Sequence, residues 1–329
     1  MIRGEDACAA GGFCLEAMPV RLACGMIDRV TPDQSGTTQP SAPIEVDTKS
    51  PPFDQFKHLR WLGVERSGRD SMTHVRHHLY VGRDKRSPVD LLIKLSAKPG
   101  LVYQQNLTNE IASLTTINTE LPSSPYFPFV REHGTLPDGR VYLISTLFDE
   151  FPLASAISAE VVPAKTVSHL RTAIEISRAL SALHELQIFH VDLNPMNILY
   201  RAEKGAPIIR IVDFESSYEA TRHSTGTFYS PPTTPGFSAP EAVAHQTPDA
   251  RADLYSLGAV LYTMLAGYGW TWEKAIGTCI DANSEIDVTL KSILVSAVNV
   301  DPRKRYRSVE QFRTDLAAYL ERIWPGRTW

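Results

Sequence analysis

The sequence contains little cysteine and no excess of either charge. Its four cysteines among 329 residues form no CxxC pair and have no histidine at zinc-ligand spacing, so the sequence predicts no zinc site and we assign these thiols no role. The 33 basic and 37 acidic side chains leave a net charge of −4. So small a charge argues against binding nucleic acid or an anionic membrane through bulk electrostatic attraction.

Long apolar runs are also absent. No segment reaches the ~18 apolar residues that a membrane span requires, and the longest apolar stretch, residues 257–266, is interrupted by Gly258 and Thr263. The first 30 residues carry acidic side chains and lack the apolar core of a secretory signal. We therefore expect a soluble cytoplasmic protein with neither a membrane nor a nucleic acid as its partner.

Two parts of the chain differ in composition. Residues 1–52 hold six prolines and five glycines, and no helical or strand period in them lasts longer than one turn. Such a segment cannot bury enough apolar surface to fold, so we predict a disordered amino-terminal extension. Residues 53–329 are densely patterned and are long enough to bury a core without disulfides or a structural metal.

The hydrophobic period of the folded part changes near residue 150. Strand-like runs rich in Val, Leu, Ile and Tyr come first, at 56–64, 74–82, 89–95 and 141–148, with a short helix at 104–118. Helical periods follow, at about 165–186, 251–267, 288–298 and 308–323. The pattern predicts an α+β fold with two lobes: a small, mostly antiparallel sheet with one helix at about 56–145, and a larger helical lobe at about 149–324.

The most informative stretch is residues 189–199, FHVDLNPMNIL, which precedes the apolar strand and aspartate of residues 208–214, IIRIVDF. Asp192, Asn197 and Asp213 therefore occupy loop positions beside short apolar strands. Carboxylate and amide oxygens suit a hard cation such as Mg²⁺ that also binds phosphate oxygens. The stretch thus favours a site for metal-assisted phosphate chemistry.

Five motifs occur in one order along the chain: HVDLNPMNIL, VDFE, SAPE, DLYSLG and DPRKR. In this order, and near this spacing, they resemble the protein-kinase catalytic domain, with a similarity that covers roughly residues 56–324 and is nearest to the serine/threonine group, including bacterial members. The resemblance implies a two-lobed kinase-like fold and transfer of a phosphoryl group from ATP, with Mg²⁺, to a protein serine or threonine hydroxyl.

The resemblance also implies roles for individual residues. Asp192 would orient the substrate hydroxyl and accept its proton, while Asn197 and Asp213 would hold the metal ions. Lys94, in the segment LLIK, would contact the α- and β-phosphates, and Glu110 would be its ion-pair partner.

Further nucleotide contacts are implied in the phosphate loop, the third strand, the hinge between the lobes and the floor beneath the adenine. These residues are Leu62, Gly63, Gly68, Leu92, Thr146, Leu147, Phe148 and Leu199. A protein substrate would dock near residues 213–241. Four more residues have architectural roles by resemblance: Glu241 would pair with Arg305, Asp253 would brace the catalytic loop, and Thr234 would contact the catalytic aspartate.

Several positions depart from the family pattern. In LGVERSG, Gly63 and Gly68 match the first and third glycines, but Glu65 takes the place of the second, where a carboxylate would repel phosphate. Glu215 replaces the glycine of the metal motif, and Leu92 replaces a small alanine above the adenine. Val191 stands where the family usually has an arginine that pairs with a phosphate on the activation segment, and another cation such as Lys165 or Arg222 could replace that arginine. Asn194 stands where the family usually has a catalytic lysine.

These departures leave two alternatives beside an active protein kinase. One is a pseudokinase that binds nucleotide or acts as a scaffold. The other is a small-molecule phosphotransferase of the aminoglycoside or choline type, which HxDLNPxN and DFE also resemble. The segments TTPGFSAPE and DLYSLGAVLY argue against the second, since they build a peptide-docking segment. Because Lys94, Glu110, Asp192, Asn197 and Asp213 are all present, we favour catalysis.

Overall fold

The computed structural model describes residues 44, 46–66, 75–158, 166–223, 234–268 and 275–326. Gly68 and Lys165 lie outside the described residues, as does most of the extension predicted at residues 1–52. The described end of that extension contacts the sheet: the Tyr80 hydroxyl donates a hydrogen bond to the Ile44 carbonyl at 2.7 Å, and Val46 packs against a small apolar core.

The first lobe is built on a five-stranded sheet with the strand order β1-β2-β3-β5-β4, in which every neighbouring pair is antiparallel. Its elements are β1 (Phe56–Arg66), β2 (Val75–Asp84), β3 (Asp90–Ser96), α1 (Leu101–Glu120), β4 (Val130–Thr135) and β5 (Val141–Thr146). One face of the sheet buries a cluster that includes Phe56, Tyr80 and Ile93. The central strands β2 and β3 are buried over most of their length, which indicates that both faces of the sheet are covered there.

The helix α1 crosses the other face of the sheet. Leu107, Leu114 and Ile117 are fully buried, at the spacing of three and four residues that places side chains on one helical face. These residues join the main core of the molecule, so α1 connects the two lobes. The polar residues Asn109, Glu110 and Ser113 on the same helix remain available for the site between the lobes.

The second lobe is mainly helical. Its elements are β6 (Phe151–Pro152), α2 (Leu153–Ser158), α3 (Thr166–Glu185), β7 (Ile188–Phe189), β8 (Ile198–Arg201), β9 (Ile208–Ile211), β10 (Tyr218–Glu219), α4 (Ala220–His223), α5 (Pro240–Val243), α6 (Ala250–Ala266), α7 (Ile276–Ala282), α8 (Val288–Ala297) and α9 (Val309–Ile323). The short strands form two small sheets, with orders β6-β8-β9 and β10-β7.

The central helix of this lobe is α6. Asp249 caps its amino terminus by accepting a hydrogen bond from the Arg251 amide, and most of its residues are buried on all sides. Gly258 allows α8 to approach closely, because a Cβ atom there would lie 2.9 Å from Ala297 Cβ. A helix held from every side is a rigid support, and α6 carries Asp253 beneath the loop between β7 and β8.

The predicted two-lobed α+β fold is confirmed. The sequence did not predict β4, α2 or α7. Strand β4 is half exposed, and helices α2 and α7 are short. None of the helices in the described ranges combines the length and the apolar character needed to cross a membrane.

Candidate active site

The loop between β7 and β8 carries Asp192 and is fixed by a single buried carboxylate. Asp253 accepts hydrogen bonds from the backbone amides of His190, at 2.9 Å, and Val191, at 2.7 Å, and its side chain is fully buried. The two amides can point at one carboxylate because Val191 adopts the left-handed conformation, with φ of 67°. Asp253 therefore braces the catalytic loop, as the resemblance implied.

Asp192 lies under the segment that contains Thr234. The Thr234 hydroxyl donates to Asp192 Oδ1 at 2.6 Å, and the side-chain amides of Asn194 and Asn197 both donate to the Asp192 carbonyl at 3.0 Å. Burial raises the pKa of Asp192 to about 7, against the opposing effect of the Thr234 hydrogen bond. A carboxylate with a pKa near neutrality suits a general base that must accept and release a proton.

Asp213 follows a residue that is bonded to the loop of Asp192 and Asn197, since the Val212 amide donates to the Asn197 carbonyl at 3.0 Å. Phe214 is fully buried against His190, with ring centroids 5.0 Å apart, and so anchors the turn in which Asp213 adopts a φ of 65°. Asp213 Oδ1 is buried and has no hydrogen-bond partner among the described residues. Burial first, and then the neighbouring carboxylates of Glu215 and Glu65, raise the pKa of Asp213 despite the attraction of Lys94. An unsatisfied buried carboxylate oxygen with an amide nearby fits a hard cation such as Mg²⁺.

Lys94 lies on β3 in the first lobe. We call the first-lobe side of the cleft between the lobes its upper side, and the side with Asp192 and Asp213 its lower side. The Lys94 ammonium group donates to Glu110 Oε2 on α1 at 2.8 Å and lies 3.7 Å from Asp213 Oδ1. Only 3% of its side chain is exposed. Burial alone would lower the pKa of Lys94, but the surrounding carboxylates, Glu110 foremost, raise it well above the ordinary value. The lysine is therefore a permanent cation that faces the metal motif.

Two further carboxylates reach the same lysine. Glu215 Oε1 lies 3.1 Å and Glu65 Oε2 lies 3.3 Å from Lys94 Nζ. Glu215 also accepts from Arg76 Nη1 at 2.6 Å, and His77 Nδ1 lies 2.9 Å from Glu215 and 3.0 Å from Glu65. We call Glu65, Arg76, His77, Lys94 and Glu215 the ion cluster of the cleft.

The charges of the ion cluster stabilise one another. Burial would raise the pKa of Glu65, but Lys94 and His77 outweigh it and lower the value to about 2. Burial would likewise lower the pKa of His77, and the carboxylates of Glu215 and Glu65 instead raise it to about 9. The cluster is therefore ionised at neutral pH, because each buried charge has a partner.

Hydrogen bonds to the start of the segment after Asp213 hold α1 in place. The Asn109 side chain donates to the carbonyls of Glu215 and Ser217, both at 2.9 Å. Arg222 donates to Asn109 Oδ1 at 2.6 Å and to Ser113 Oγ at 2.9 Å. Val191, by contrast, is an apolar residue with 1% exposure. The contact between α1 and this segment is thus made through Arg222, without a phosphate group paired to a cation at position 191.

One part of the cleft is closed. Leu199 packs with Val212 against Leu147 and Phe148, and the resemblance implied nucleotide contacts for Leu147, Phe148 and Leu199. The space lined by Leu92, Lys94, Glu110, Thr146, Phe148 and Asp213, among others, amounts to about 20 Å³. That is room for roughly one water molecule, whereas ligand pockets usually enclose ~300–1,000 Å³.

The structure brings most of the predicted site residues together. The contacts described above connect Lys94, Glu110, Asp192, Asn197 and Asp213. Leu62 and Gly63 lie on β1 and are not among the described residues that line the closed space, and Gly68 lies outside the described residues. The sequence analysis did not predict Arg76 and His77, although they belong to a run of three polar residues, 76–78, beside the apolar part of a strand, which was a signal of a buried polar site.

The architectural pairs are also present. Arg305 donates to both carboxylate oxygens of Glu241, at 2.6 Å and 2.8 Å, and its side chain has no exposed surface. This bidentate pair joins α5 to the turn before α9.

Solved structures with the same fold include the kinase domain of PknI from Mycobacterium tuberculosis. One variant, with a cysteine changed to alanine, superposes with a TM-score of 0.60 at 18% identity and covers 84% of this chain and 99% of that one. A double variant superposes with a TM-score of 0.56 at 19% identity, covering 80% and 95% of the two chains. At these identities the likeness concerns the fold.

Curated relatives match shorter stretches. Human ribosomal protein S6 kinase alpha-2 is 44% identical over 94 residues, which is 28% of this chain and 13% of the relative. Serine/threonine-protein kinase Pkn1 of Myxococcus xanthus is 29% identical over 195 residues, which is 55% of this chain and 28% of the relative. The chain therefore matches less than a third of the length of either relative.

A family model described as the protein kinase domain matches residues 101–316. This match covers more than half of the chain and includes α1, the catalytic loop, the metal motif and the Glu241–Arg305 pair. The chain belongs to the protein kinase domain family.

Proposed function

We propose that this protein transfers the γ-phosphoryl group of ATP, with Mg²⁺, to a serine or threonine hydroxyl of a protein. The observation that carries the proposal is the convergence of Lys94, paired with Glu110, on Asp213 in one cleft, with Asp192 and Asn197 beside them. Phosphoryl transfer depends mostly on positioning and charge stabilisation, and these residue types supply both.

Each residue has a separate task in the proposed reaction. Asp192 accepts the proton of the substrate hydroxyl while the hydroxyl oxygen bonds to the γ-phosphorus and the bond to the ADP oxygen breaks. Thr234 and Asn194 hold Asp192 and its loop in position through the hydrogen bonds described above. Lys94 neutralises phosphate charge. Asp213 and Asn197 would hold Mg²⁺, which would neutralise the charge that develops on the phosphate oxygens.

The proposed substrate is a protein segment that docks near residues 213–241. Thr234 and Ser238 lie next to Asp192, with oxygens 2.6 Å and 3.5 Å from Asp192 Oδ1, so a hydroxyl side chain already approaches the proposed base from this segment. The Ser/Thr specificity is supported by the similarity to Pkn1 of Myxococcus xanthus, a serine/threonine-protein kinase.

The test is an incubation of purified protein with γ-labelled ATP, Mg²⁺ and a generic protein substrate, beside Asp192→Asn. Asp281→Asn, a change of an exposed aspartate on α7, is the matched control. We expect label on serine or threonine with wild type and with the control, and none with Asp192→Asn. Label that persists in Asp192→Asn would contradict the assignment.

A second candidate is a binding module of the pseudokinase type. The observation that favours it is the closed cleft, in which two of the chain's own carboxylates contact Lys94 and about 20 Å³ of space remains. Absence of label in every sample, with wild type folded and monodisperse, would favour this candidate over the enzyme.

A further inference from the structure

The upper side of the cleft contains more cationic groups than the proposed reaction uses. Beside Lys94, the ion cluster includes Arg76, with 12% of its side chain exposed, and His77, with none. Both come from adjacent positions on β2. Arg76 Nη1 lies 2.6 Å from Glu215 Oε2, which places the guanidinium next to the turn that follows Asp213.

Two carboxylates of the chain itself neutralise all three cations. Glu215 contacts Lys94, Arg76 and His77, and Glu65 contacts Lys94 and His77, at distances between 2.6 Å and 3.3 Å. Glu215 and Glu65 are 2% exposed, so these contacts are shielded from solvent. In this shielded setting, the attraction between opposite charges and the repulsion between like charges are both stronger than at a protein surface.

Carboxylates surround Lys94 in this arrangement. Its ammonium group donates hydrogen bonds to Glu110 and Glu215, and the Glu65 carboxylate lies 3.3 Å from Nζ. A phosphate oxygen that approaches Lys94 would meet these like charges, so we expect at least one carboxylate to leave. The small closed space beside Lys94 leads to the same requirement, because it cannot hold a nucleotide.

Both carboxylates come from positions where the family resemblance leads one to expect glycine. Glycine at position 65 or 215 would leave empty volume and no charge beside Lys94. Glutamate supplies an anionic group at the end of a side chain long enough to reach the lysine from β1 and from the turn after Asp213.

We propose that Glu65 and Glu215 occupy the subsite that nucleotide phosphates take on Lys94, so that these two residues determine how tightly the protein binds a phosphorylated nucleotide. The proposal rests on the proposed function. When phosphates enter, they replace the two carboxylates on Lys94 and also receive Arg76 and His77 as partners. The affinity for ATP is then the small difference between two similar sets of charge contacts.

The test compares a ligand that has phosphates with one that has none. Binding of ATP with Mg²⁺ and of adenosine is measured by isothermal titration calorimetry for wild type, Glu65→Gln, Glu215→Gln and Glu215→Gly. Glu175→Gln is the matched control, since Glu175 is ion-paired with Arg178 on α3 and is 12% exposed.

In wild type we expect ATP to bind no more than a few times tighter than adenosine. In each variant of Glu65 or Glu215 we expect ATP to bind at least ~10-fold tighter than in wild type, a change of ~1.4 kcal/mol. We expect adenosine affinity to change less than ~2-fold, and the control to match wild type for both ligands.

Three results would overturn the proposal. The first is wild type that binds ATP at least ~10-fold tighter than adenosine, a result that needs no variant to fold. The second is unchanged ATP affinity in folded Glu65→Gln and Glu215→Gln, with folding checked by a cooperative thermal transition. The third is an equal gain for ATP and adenosine, which would show that removal of the side chain creates space and does not relieve a charge.

The proposed function is tested separately by the label-transfer experiment on wild type. Transfer of label by wild type together with unchanged binding in the variants would reject this inference and keep the function. Tighter ATP binding in the variants without any transfer of label would keep the inference and reject the function.

Discussion

The two sides of the cleft satisfy their charged groups in different ways. On the lower side, Asp253 and Thr234 hold the loop around Asp192 with one or two hydrogen bonds each, and Asp213 Oδ1 keeps no hydrogen-bond partner among the described residues. On the upper side, every cation of the ion cluster has at least one carboxylate within 3.3 Å. The lower side thus leaves a buried carboxylate oxygen without a hydrogen bond, whereas the chain's own carboxylates already neutralise the cations of the upper side.

The two sets of proposed functional groups rest on different parts of the molecule. The groups that would act on the hydroxyl and the metal depend on the rigid second lobe through α6 and the Glu241–Arg305 pair. The cations that would hold phosphates lie on β2 and β3, and the two glutamates that neutralise them come from β1 and from the turn after Asp213. Substitutions on each side should therefore affect different measurements.

The largest expected effect is on turnover. Lys94→Met and Asp213→Ala should each lower the rate of phosphoryl transfer by ~10³-fold or more, since both residues act on charge that develops on the phosphates. Steady-state assays at saturating ATP measure the effect, with Lys204→Met, a change of an exposed lysine, as the control. Full activity in either site variant would mean that the site is assigned wrongly.

The next effect is on stability and belongs to the lower lobe. Arg305→Ala should reduce the free energy of unfolding by ~3–5 kcal/mol, because it leaves the Glu241 carboxylate without its bidentate partner. Arg303→Ala in the same turn should cost far less stability, since Arg303 is 84% exposed and its pair with Asp301 is solvated. Urea unfolding measures the free energy of unfolding of both variants. Equal losses of stability in the two variants would contradict the prediction that the buried Glu241–Arg305 pair matters more than the exposed Asp301–Arg303 pair.

A smaller effect concerns pH and belongs to the ion cluster. The pKa of His77 is raised from 6.5 to about 9 in the folded state, so its contribution to stability is complete below pH 6.5 and is lost as pH rises towards 9 and above. From pH 6.5 to 9.5, wild type should lose on the order of 1–3 kcal/mol more unfolding free energy than His77→Gln. His133→Gln, which changes an exposed histidine on β4, should behave as wild type.

The smallest effect is expected from phosphorylation of the segment at residues 213–241. Val191 cannot pair with a phosphate, and Arg222 already joins α1 to the segment through Asn109 and Ser113. Removal of all phosphate by a phosphatase should therefore change turnover less than ~10-fold, far below the ~10³-fold effects of decisive charge placement in phosphoryl transfer. A loss of ~100-fold or more that rephosphorylation reverses would contradict this expectation.

The sequence predicted the lower side of the cleft better than the upper side. Local motifs indicated Asp192, Asn197 and Asp213, and the change of hydrophobic period indicated the two lobes. Glu65 was recognised as a carboxylate near phosphate, but its burial against Lys94 depends on the register shifts of β1 against β2, which occur between Trp61 and Gly63 and between Glu65 and Arg66. Such irregularities decide which face a strand residue occupies, and they leave little trace in sequence.

The most direct test of the difference between the two sides is a crystal structure of the protein with a non-hydrolysable ATP analogue and Mg²⁺. We predict phosphate oxygens on Lys94 Nζ, Mg²⁺ between Asn197 and Asp213, and the carboxylates of Glu65 and Glu215 moved away from Lys94 while Glu110 stays. Phosphates in the cleft with Glu65 and Glu215 still 3.3 Å and 3.1 Å from Lys94 Nζ, or nucleotide bound elsewhere, would contradict the account.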